Sequence, residues 1–595
     1  MPQDVSCAKP GFQERFRMRQ IIDKRAAPNS VWCRDVILML SIAGSIAITE
    51  TSGIKAEETA INPESRQFDF WLTNWIALVL VGLDQAVSAT DAPSPPTVTL
   101  ESGVLKGTYF GASNEVAFLG VPYAAPPVGE LRWKPPQPVQ KWTGIRQATQ
   151  FGPAAPQLPA GWLPYIGWSE DCLYLNVWTM RLTPEAKQPV IVFFHGGGNQ
   201  AGYSQFTPLG PALSRLGVVI VSANYRLGPF GFFAFPALTE ESEHHSSGNY
   251  GLLDQLQALR WVRENISEFG GDPGRVTVMG QSAGAVDICL LMASPLATGL
   301  FKGAILESGE AQSVLNKDIR ILIPYNGISD TGEAAGEKFA KDLGVTDGPD
   351  ALEKLRSISA EKIMEAWRKD RQIGFAAIVD GWIIPEQPAK IFAEGKQMGV
   401  PVLVGSNADE ATVFEHSAPK TVDEYRVFLR RDTGHFADQE FAAYPAMSDA
   451  DVPAQHLQLQ NDLFAYGAYS LASAMARLGE RAYLYQFTYA GKGKRANFGA
   501  YHGEELYFLS DSFPADWEHD GDDKKLGESM RTYWAQFAKT GNPNSYKLPE
   551  WPAYRTARDE CMELGRAVGP RAIPERLRVL EHIMRQVVAD QSSER

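Results

Sequence analysis

The chain has 595 residues, of which 44% are hydrophobic and 21% charged, with a formal net charge of −14. This is an ordinary globular composition, long enough to bury a large core, and an acidic chain with no basic cluster in its body disfavours nucleic-acid binding. The 5 cysteines show no C-x-x-C spacing and so supply no metal-ligand framework.

Residues 1–95 read as a leader separate from the fold. Arg15, Arg17, Arg19, Lys24, Arg25 and Arg34 precede a short apolar run over 36–48, and a second run over 75–83 is followed by Val87-Ser88-Ala89. Both runs are shorter than a bilayer span requires. The second has the form of a signal-peptide core with a small-residue cleavage site after Ala89. The expectation is export, periplasmic or secreted, with a mature start in Asp91-Ala92-Pro93-Ser94-Pro95-Pro96. An overlong start, an extension with a tandem membrane-associated hairpin and a disordered, non-functional extension stay open beside it, as does a cytoplasmic location. Residues 96–595 read as one catalytic domain that is not embedded in a membrane.

Within that domain, segments rich in Thr, Val and Gly over 97–105 and 116–119 predict an N-terminal antiparallel hairpin. Buried strands are predicted over 173–178, 190–194, 218–223, 276–279, 303–306, 402–405 and 483–487, with helices over 252–268 and 285–292 between them. Alternation of buried strands with helices implies an α/β fold with a large, mostly parallel sheet. Ligands bind at the carboxyl ends of such strands.

Two motifs fall at those ends. Gly280-Gln281-Ser282-Ala283-Gly284 follows the apolar Val276-Thr277-Val278-Met279 and precedes a helix. A serine on a tight strand-to-helix turn projects from the sheet beside backbone N–H groups and a helix N-terminus, which makes Ser282 a candidate nucleophile. The run Val190-Ile191-Val192-Phe193-Phe194 ends in His195-Gly196-Gly197-Gly198. Acyl transfer creates a negative oxygen that needs converging backbone donors, and glycines let the backbone turn its N–H groups inward. Gly197, Gly198 and Ala283 are the candidate donors of an oxyanion hole, with His195 an orienting or packing residue.

The glycine tract and the elbow acquire context from the rest of the chain. Glu170-Asp171-Cys172-Leu173-Tyr174-Leu175-Asn176-Val177-Trp178 resembles one signature of the type-B carboxylesterases, the family that includes the cholinesterases. The elbow, extended from Phe269-Gly270-Gly271-Asp272-Pro273, resembles another. Phe118-Leu119-Gly120-Val121-Pro122-Tyr123-Ala124, Asn224-Tyr225-Arg226-Leu227-Gly228 and Asn249-Tyr250-Gly251-Leu252-Leu253-Asp254-Gln255 are also similar to that family. The resemblance runs from about Thr97 to the C-terminal helix and implies an α/β-hydrolase fold, bacterial in style.

The resemblance also implies the other two members of a triad. Glu410, in Ser406-Asn407-Ala408-Asp409-Glu410, matches the family's acid, with Ala411 where a glycine is usual. His502, in Tyr501-His502-Gly503-Glu504-Glu505, matches the base. The chain order Ser282, Glu410, His502 is that of α/β-hydrolases. His502 would take the serine proton while Glu410 fixes its tautomer. Of the 9 histidines, His416 is the rival base, and His244 and His245 lie in a polar loop. Two structural ion pairs are implied, Arg132 with Glu170 and Arg226 with Asp254. Ala155 stands where secreted relatives carry the partner of Cys172, so Cys172 is expected to be a buried thiol; a Cys289–Cys561 bridge stays open.

The expected function is a serine carboxylesterase acting on a small-molecule ester through an acyl-enzyme on Ser282, with no metal and no organic cofactor. A non-catalytic binding module of the same fold, a lipase and an amide or carbamate hydrolase are the alternatives. Polyester-like natural products, including mycotoxin side-chain esters, fall within the reach of bacterial relatives. Gln281 stands where an acidic residue would attract a quaternary ammonium, and Asn199 suggests a polar wall beside the oxyanion hole. Trp162, Tyr165 and Trp168 are read as gorge lining or ordinary packing, and Met364, Trp367 and Phe375 as core or gorge wall. The oligomeric state is not legible.

Overall fold

The computed structural model describes residues 94–593 apart from 111–114, 312–319, 323–329, 372–373, 415–417, 519 and 556. The leader, with its expected cleavage site, and the rival base His416 lie outside the described residues.

Fourteen strands are formed among the described residues: β1 (Thr97–Leu100), β2 (Gly103–Lys106), β3 (Thr108–Phe110), β4 (Glu115–Pro122), β5 (Ile145–Gln147), β6 (Tyr174–Thr179), β7 (Gln188–Phe194), β8 (Val219–Ala223), β9 (Gly271–Gln281), β10 (Gly303–Glu307), β11 (Val402–Asn407), β12 (Ala482–Phe487), β13 (Glu560–Leu564) and β14 (Val568–Ala572). Eleven make one sheet in the order β14-β13-β12-β11-β10-β9-β7-β8-β6-β4-β3, and β1-β2-β5 form a small second sheet. The run from β8 through β7, β9, β10, β11 and β12 to β13 is parallel. The outer strands are antiparallel.

The parallel centre follows from its sequence. In β7, Val190, Val192 and Phe194 pack into one hydrophobic cluster and Ile191 and Phe193 into the other, on the opposite face. Alternate side chains of a strand point to opposite faces, so a run apolar at every position needs cover on both sides, and parallel sheets provide it. β11 repeats the pattern, with Val402 and Val404 on one side and Leu403 on the other. Helices supply the cover: α1 (Tyr250–Asn265), α2 (Ala283–Ala293), α3 (Ala360–Lys369) and α4 (Val452–Arg477) pack into the first cluster, and α5 (Gly521–Thr540) packs Leu526, Met530, Trp534 and Phe537 into the second.

One expectation needs correction. The N-terminal hairpin is β1 with β2, whereas residues 116–119 belong to β4, an antiparallel strand of the large sheet. The strand over 173–178 is antiparallel to both its neighbours. Met364, Trp367 and Phe375 are core residues: α3 turns Met364 and Trp367 inward, and Trp367 packs edge-on to Phe375. Trp162 and Tyr165 are 56% and 70% exposed.

The two ion pairs implied by the resemblance are present. Arg132 Nε and Nη2 donate to Glu170 Oε1 and Oε2, each at 2.6 Å. Arg226 Nε and Nη2 donate to Asp254 Oδ2 and Oδ1, each at 2.7 Å, deep in the core. Cys172, Cys289 and Cys561 are buried thiols, so no Cys289–Cys561 bridge forms.

Candidate active site

The carboxyl ends of β7, β9 and β11 bring three chain segments together. β9 stops at Gln281, and α2 begins at Ala283. Ser282 between them takes φ 56°, ψ −127°, a backbone region that L residues avoid and that persists only where surroundings impose it. Its carbonyl accepts from Ala285 N at 2.9 Å and Val286 N at 3.0 Å, and its own N–H donates to Glu307 O at 2.8 Å. Gly284 is required by close approach: a Cβ there would lie 2.2 Å from the carbonyl oxygen of Phe194.

The segment after β7 passes directly over this turn. A Cβ added to Gly196 would lie 2.9 Å from Ser282 Cβ. Gly197 and Gly198 have φ values of +113° and +65°, which reverse the chain and which a side chain would oppose. Ala283, at the first position of α2, is nearly buried. His195 is buried with its ring stacked on Tyr225, centroids 4.5 Å apart. The Tyr225 hydroxyl donates to the His195 carbonyl at 2.6 Å. Burial lowers the His195 imidazole to about 4, so the ring is neutral at ordinary pH and holds the glycine loop in place.

Glu410 follows β11 on a single turn of helix and is completely buried. One of its oxygens accepts from Asn407 N at 2.7 Å. The other lies 2.5 Å from His502 Nδ1, a charge-assisted contact that fixes the proton on Nδ1 and leaves Nε2 as the acceptor. His502 is held further by ring contacts with Phe414 and Phe464, at 4.9 and 5.5 Å. Burial disfavours its imidazolium, but the charge and hydrogen bond of Glu410, with a further contribution from Glu505, outweigh this and raise its pKa above 6.5. The structure therefore lays the segment of Gly196, Gly197 and Gly198 over the turn of Ser282 and Ala283, pairs His502 with Glu410, and brings His502 to that turn through Gln281, the residue before Ser282. The Ala411 that departs from the family pattern is buried, with its N–H donated to Asn461 Oδ1 at 2.8 Å.

Three features escaped sequence reading. Asn199 does not form a polar wall: it is 5% exposed, and its side chain turns down onto α2, where Nδ2 donates to Asp287 Oδ1 at 2.8 Å. Gln281 lies against the base, with Nε2 3.1 Å from His502 Nε2. Behind Glu410, two further carboxyls are buried: Glu505, bonded by Asn407 Nδ2, and Glu307, bonded by Trp534 Nε1 at 2.5 Å. Burial and the neighbouring Glu410 push Glu505 up to about 7, and burial with Glu505 nearby raises Glu307 well above the carboxylate range. Glu505 stands in the motif that contains His502, which was the available signal. Among the described residues no group of His, Cys, Asp and Glu is arranged to hold a metal ion, and no helix is long and apolar enough to cross a membrane.

The carboxylesterase family model matches residues 94–576. A fumonisin B1 esterase of Sphingopyxis macrogoltabida is 40% identical over 484 residues, 78% of this chain and 86% of its own length. A para-nitrobenzyl esterase of Bacillus subtilis is 34% identical, covering 78% of this chain and 94% of that one. A solved PNB esterase structure superposes with a TM-score of 0.70 at 32% identity, over 82% of this chain and 99% of the other.

Proposed function

The chain belongs to the carboxylesterase family and is a carboxylic ester hydrolase, and from that premise we propose that Ser282 is the nucleophile, His502 the general base and acid, and Glu410 the residue that orients His502. The observation that carries this assignment is the 2.5 Å contact between Glu410 Oε2 and His502 Nδ1, made beside the strained turn that holds Ser282.

In this reading, His502 Nε2 takes the hydroxyl proton as Ser282 Oγ attacks the ester carbonyl carbon. The carbonyl oxygen becomes an oxyanion and accepts from the backbone N–H groups of Gly197, Gly198 and Ala283. The ester C–O bond then breaks, the leaving alkoxide takes the proton from His502, and the acyl group remains on Ser282. A water molecule, deprotonated by His502, attacks the acyl carbon; the proton returns to Ser282 Oγ as the carboxylic acid leaves. Burial of Glu410 and His195 favours the roles given to them: an enclosed carboxylate interacts strongly with an imidazolium, and burial that lowers His195 to about 4 makes it too weak a base to compete for the serine proton.

Hydrolysis of p-nitrophenyl esters of increasing acyl length by wild type and Ser282→Ala tests the assignment. Turnover that survives in the variant overturns it. The name of the 40% identical relative makes fumonisin B1 the first natural ester to try, and release of free acid from it by wild type alone would support that substrate class. For the leader we retain export with cleavage after Ala89, checked by N-terminal sequencing of protein recovered outside the cytoplasm.

A further inference from the structure

The glycine loop is tied to the helix that follows Ser282 by a buried acid with no cationic partner among the described residues. Asp287 lies on α2, is completely buried, and receives two neutral amide donors. Asn199 Nδ2 reaches Oδ1 at 2.8 Å, and Gln255 Nε2, from α1, reaches Oδ2 at 2.6 Å. Burial raises the Asp287 carboxyl to about 7 against these two hydrogen bonds. Asn199 is the residue immediately after Gly198 and sits at φ 57°. Its own carbonyl accepts from Gly228 N at 2.7 Å.

A carboxylate in a core position is costly unless its hydrogen bonds are satisfied, and the neighbours of Asp287 on α2, Ile288 and Cys289, show that the core here accepts apolar side chains. The orientation of the two amides is informative. Each turns its NH2 toward the carboxylate, and the oxygens left over, Asn199 Oδ1 and Gln255 Oε1, have no hydrogen-bond partner among the described residues. Two amides accept that loss on their carbonyl side only if a strong acceptor lies between them. The opposite end of the glycine loop is pinned through the His195 carbonyl by Tyr225, whose hydroxyl is itself held well above its ordinary range by burial and by the charge of Asp287.

We propose that Asp287 is a positioning residue for the oxyanion hole: through Asn199 it fixes the backbone N–H groups of Gly197 and Gly198 relative to Ala283. The proposal rests on the reading of Gly197, Gly198 and Ala283 as that hole. Ala283 and Asp287 belong to the same helix, so one rigid element sets both halves of the donor set. Donor placement within about half an ångström governs oxyanion stabilisation, and a loop hinged on two adjacent positive-φ glycines has no stiffness of its own to supply it.

The test compares wild type, Asp287→Ala, Asp287→Asn and Asn199→Ala on a p-nitrophenyl ester, alongside binding of a trifluoromethyl ketone whose hemiketal oxygen occupies the oxyanion position. Asp287→Ala and Asn199→Ala are expected to lose kcat by roughly 100-fold, the scale of a displaced oxyanion donor, with KM within about threefold. Ketone affinity should fall by a similar factor. Asp287→Asn is expected to recover most of the rate, because the Gln255 amide can turn its unused oxygen to the new N–H. Should Asp287→Ala fail to fold, Asn199→Ala carries the test, since it leaves the acid and Gln255 in place. Wild-type kcat and ketone affinity in the folded variants, with only thermal stability reduced, would overturn the proposal. If wild type fails to turn over any ester, or Ser282→Ala remains active, the parent reading falls and this inference with it; an active wild type and inactive Ser282→Ala beside full-rate variants removes this inference alone.

Discussion

Gln281 sets its carboxamide against the ring nitrogen of His502 that faces away from Glu410. Gln281 Nε2 lies 3.1 Å from His502 Nε2, and Glu410 at Nδ1 makes Nε2 the ring's acceptor, so the carboxamide donates to the lone pair that must receive the serine proton. A hydrogen bond to the neutral imidazole disfavours its protonation. Gln281 is neutral and 6% exposed, so it contributes direction without charge. Replacing it by Glu places a carboxylate against the ring, which favours the imidazolium. Gln281→Glu is expected to move the acid limb of kcat/KM to higher pH by about one unit or more. A limb that stays where wild type has it would show that this side chain does not touch the working base.

The wild-type profile has its own sign. His502 acts as base only when neutral, and its pKa in the folded chain is raised above 6.5 by Glu410 against the effect of burial. The rate should therefore fall in acid with a midpoint above 6.5. Linkage runs the other way for stability. A raised folded-state pKa gives an increment that is fully present below the unfolded pKa and lost as pH rises through the folded one. Catalysis is switched on over the same interval in which that increment disappears. A kcat/KM profile that is flat from about pH 5 to 8 would remove His502 from the base role.

Much of this site was legible because its parts lie in contiguous motifs. The elbow, the glycine tract and the His502 segment each carry their chemistry within a few residues, and the apolar runs at 190–194 and 402–404 mark the centre of the sheet. What escaped was set by packing between distant segments. Asn199 and Asp287 are 88 positions apart, and an acid one turn into a helix reads as a solvent-facing residue until α1 and the glycine loop are seen above it. β13 and β14 were missed for a local reason. Glu560 and Glu563 interrupt the apolar run, and Pro570 lies in β14, so neither carries the pattern of a buried strand. Residues 116–119 were assigned to the wrong sheet because a short half-buried strand does not name its partner.

Arg226 and Asp254 are almost wholly buried as a pair, with side-chain exposures of 2% and 0%. Arg226 also donates to Lys134 O at 2.9 Å, which ties α1 through this pair to the segment between β4 and β5. Arg226→Ala would leave Asp254 uncompensated in the core, a loss of roughly 3–5 kcal/mol. The expected outcome is poor folding yield and a depressed melting temperature, with near-normal turnover per folded molecule. A variant of unchanged thermal stability that has lost activity would place Arg226 in the chemistry instead.

Glu410→Gln keeps the volume of the side chain and the hydrogen bond from Asn407 N but removes the charge that opposes the imidazolium. The wrong tautomer of His502 becomes accessible, and kcat is expected to drop by roughly 10⁴-fold with the fold intact. Circular dichroism and thermal melting beside the rate measurement separate that outcome from unfolding. Near-normal turnover would transfer the role of acid elsewhere, with Asp409 the first residue to examine.

Removing the charge of Glu505 should shift the base in the direction opposite to Gln281→Glu. Its carboxyl accepts from Asn407 Nδ2, and the backbone N–H of the same Asn407 donates to Glu410, so the two acids share one bridging residue behind the imidazole. The charge of Glu505 is one of the influences that raise His502. Because Glu505 itself titrates at about 7, that influence is present above this pH and fades below it. Glu505→Gln can still accept from Asn407 but carries no charge at any pH. The acid limb of kcat/KM is expected to move to lower pH and to follow a single protonation, where wild type follows the coupled titration of two groups. An unmoved limb, with kcat retained, would show that the charge of Glu505 does not reach the ring.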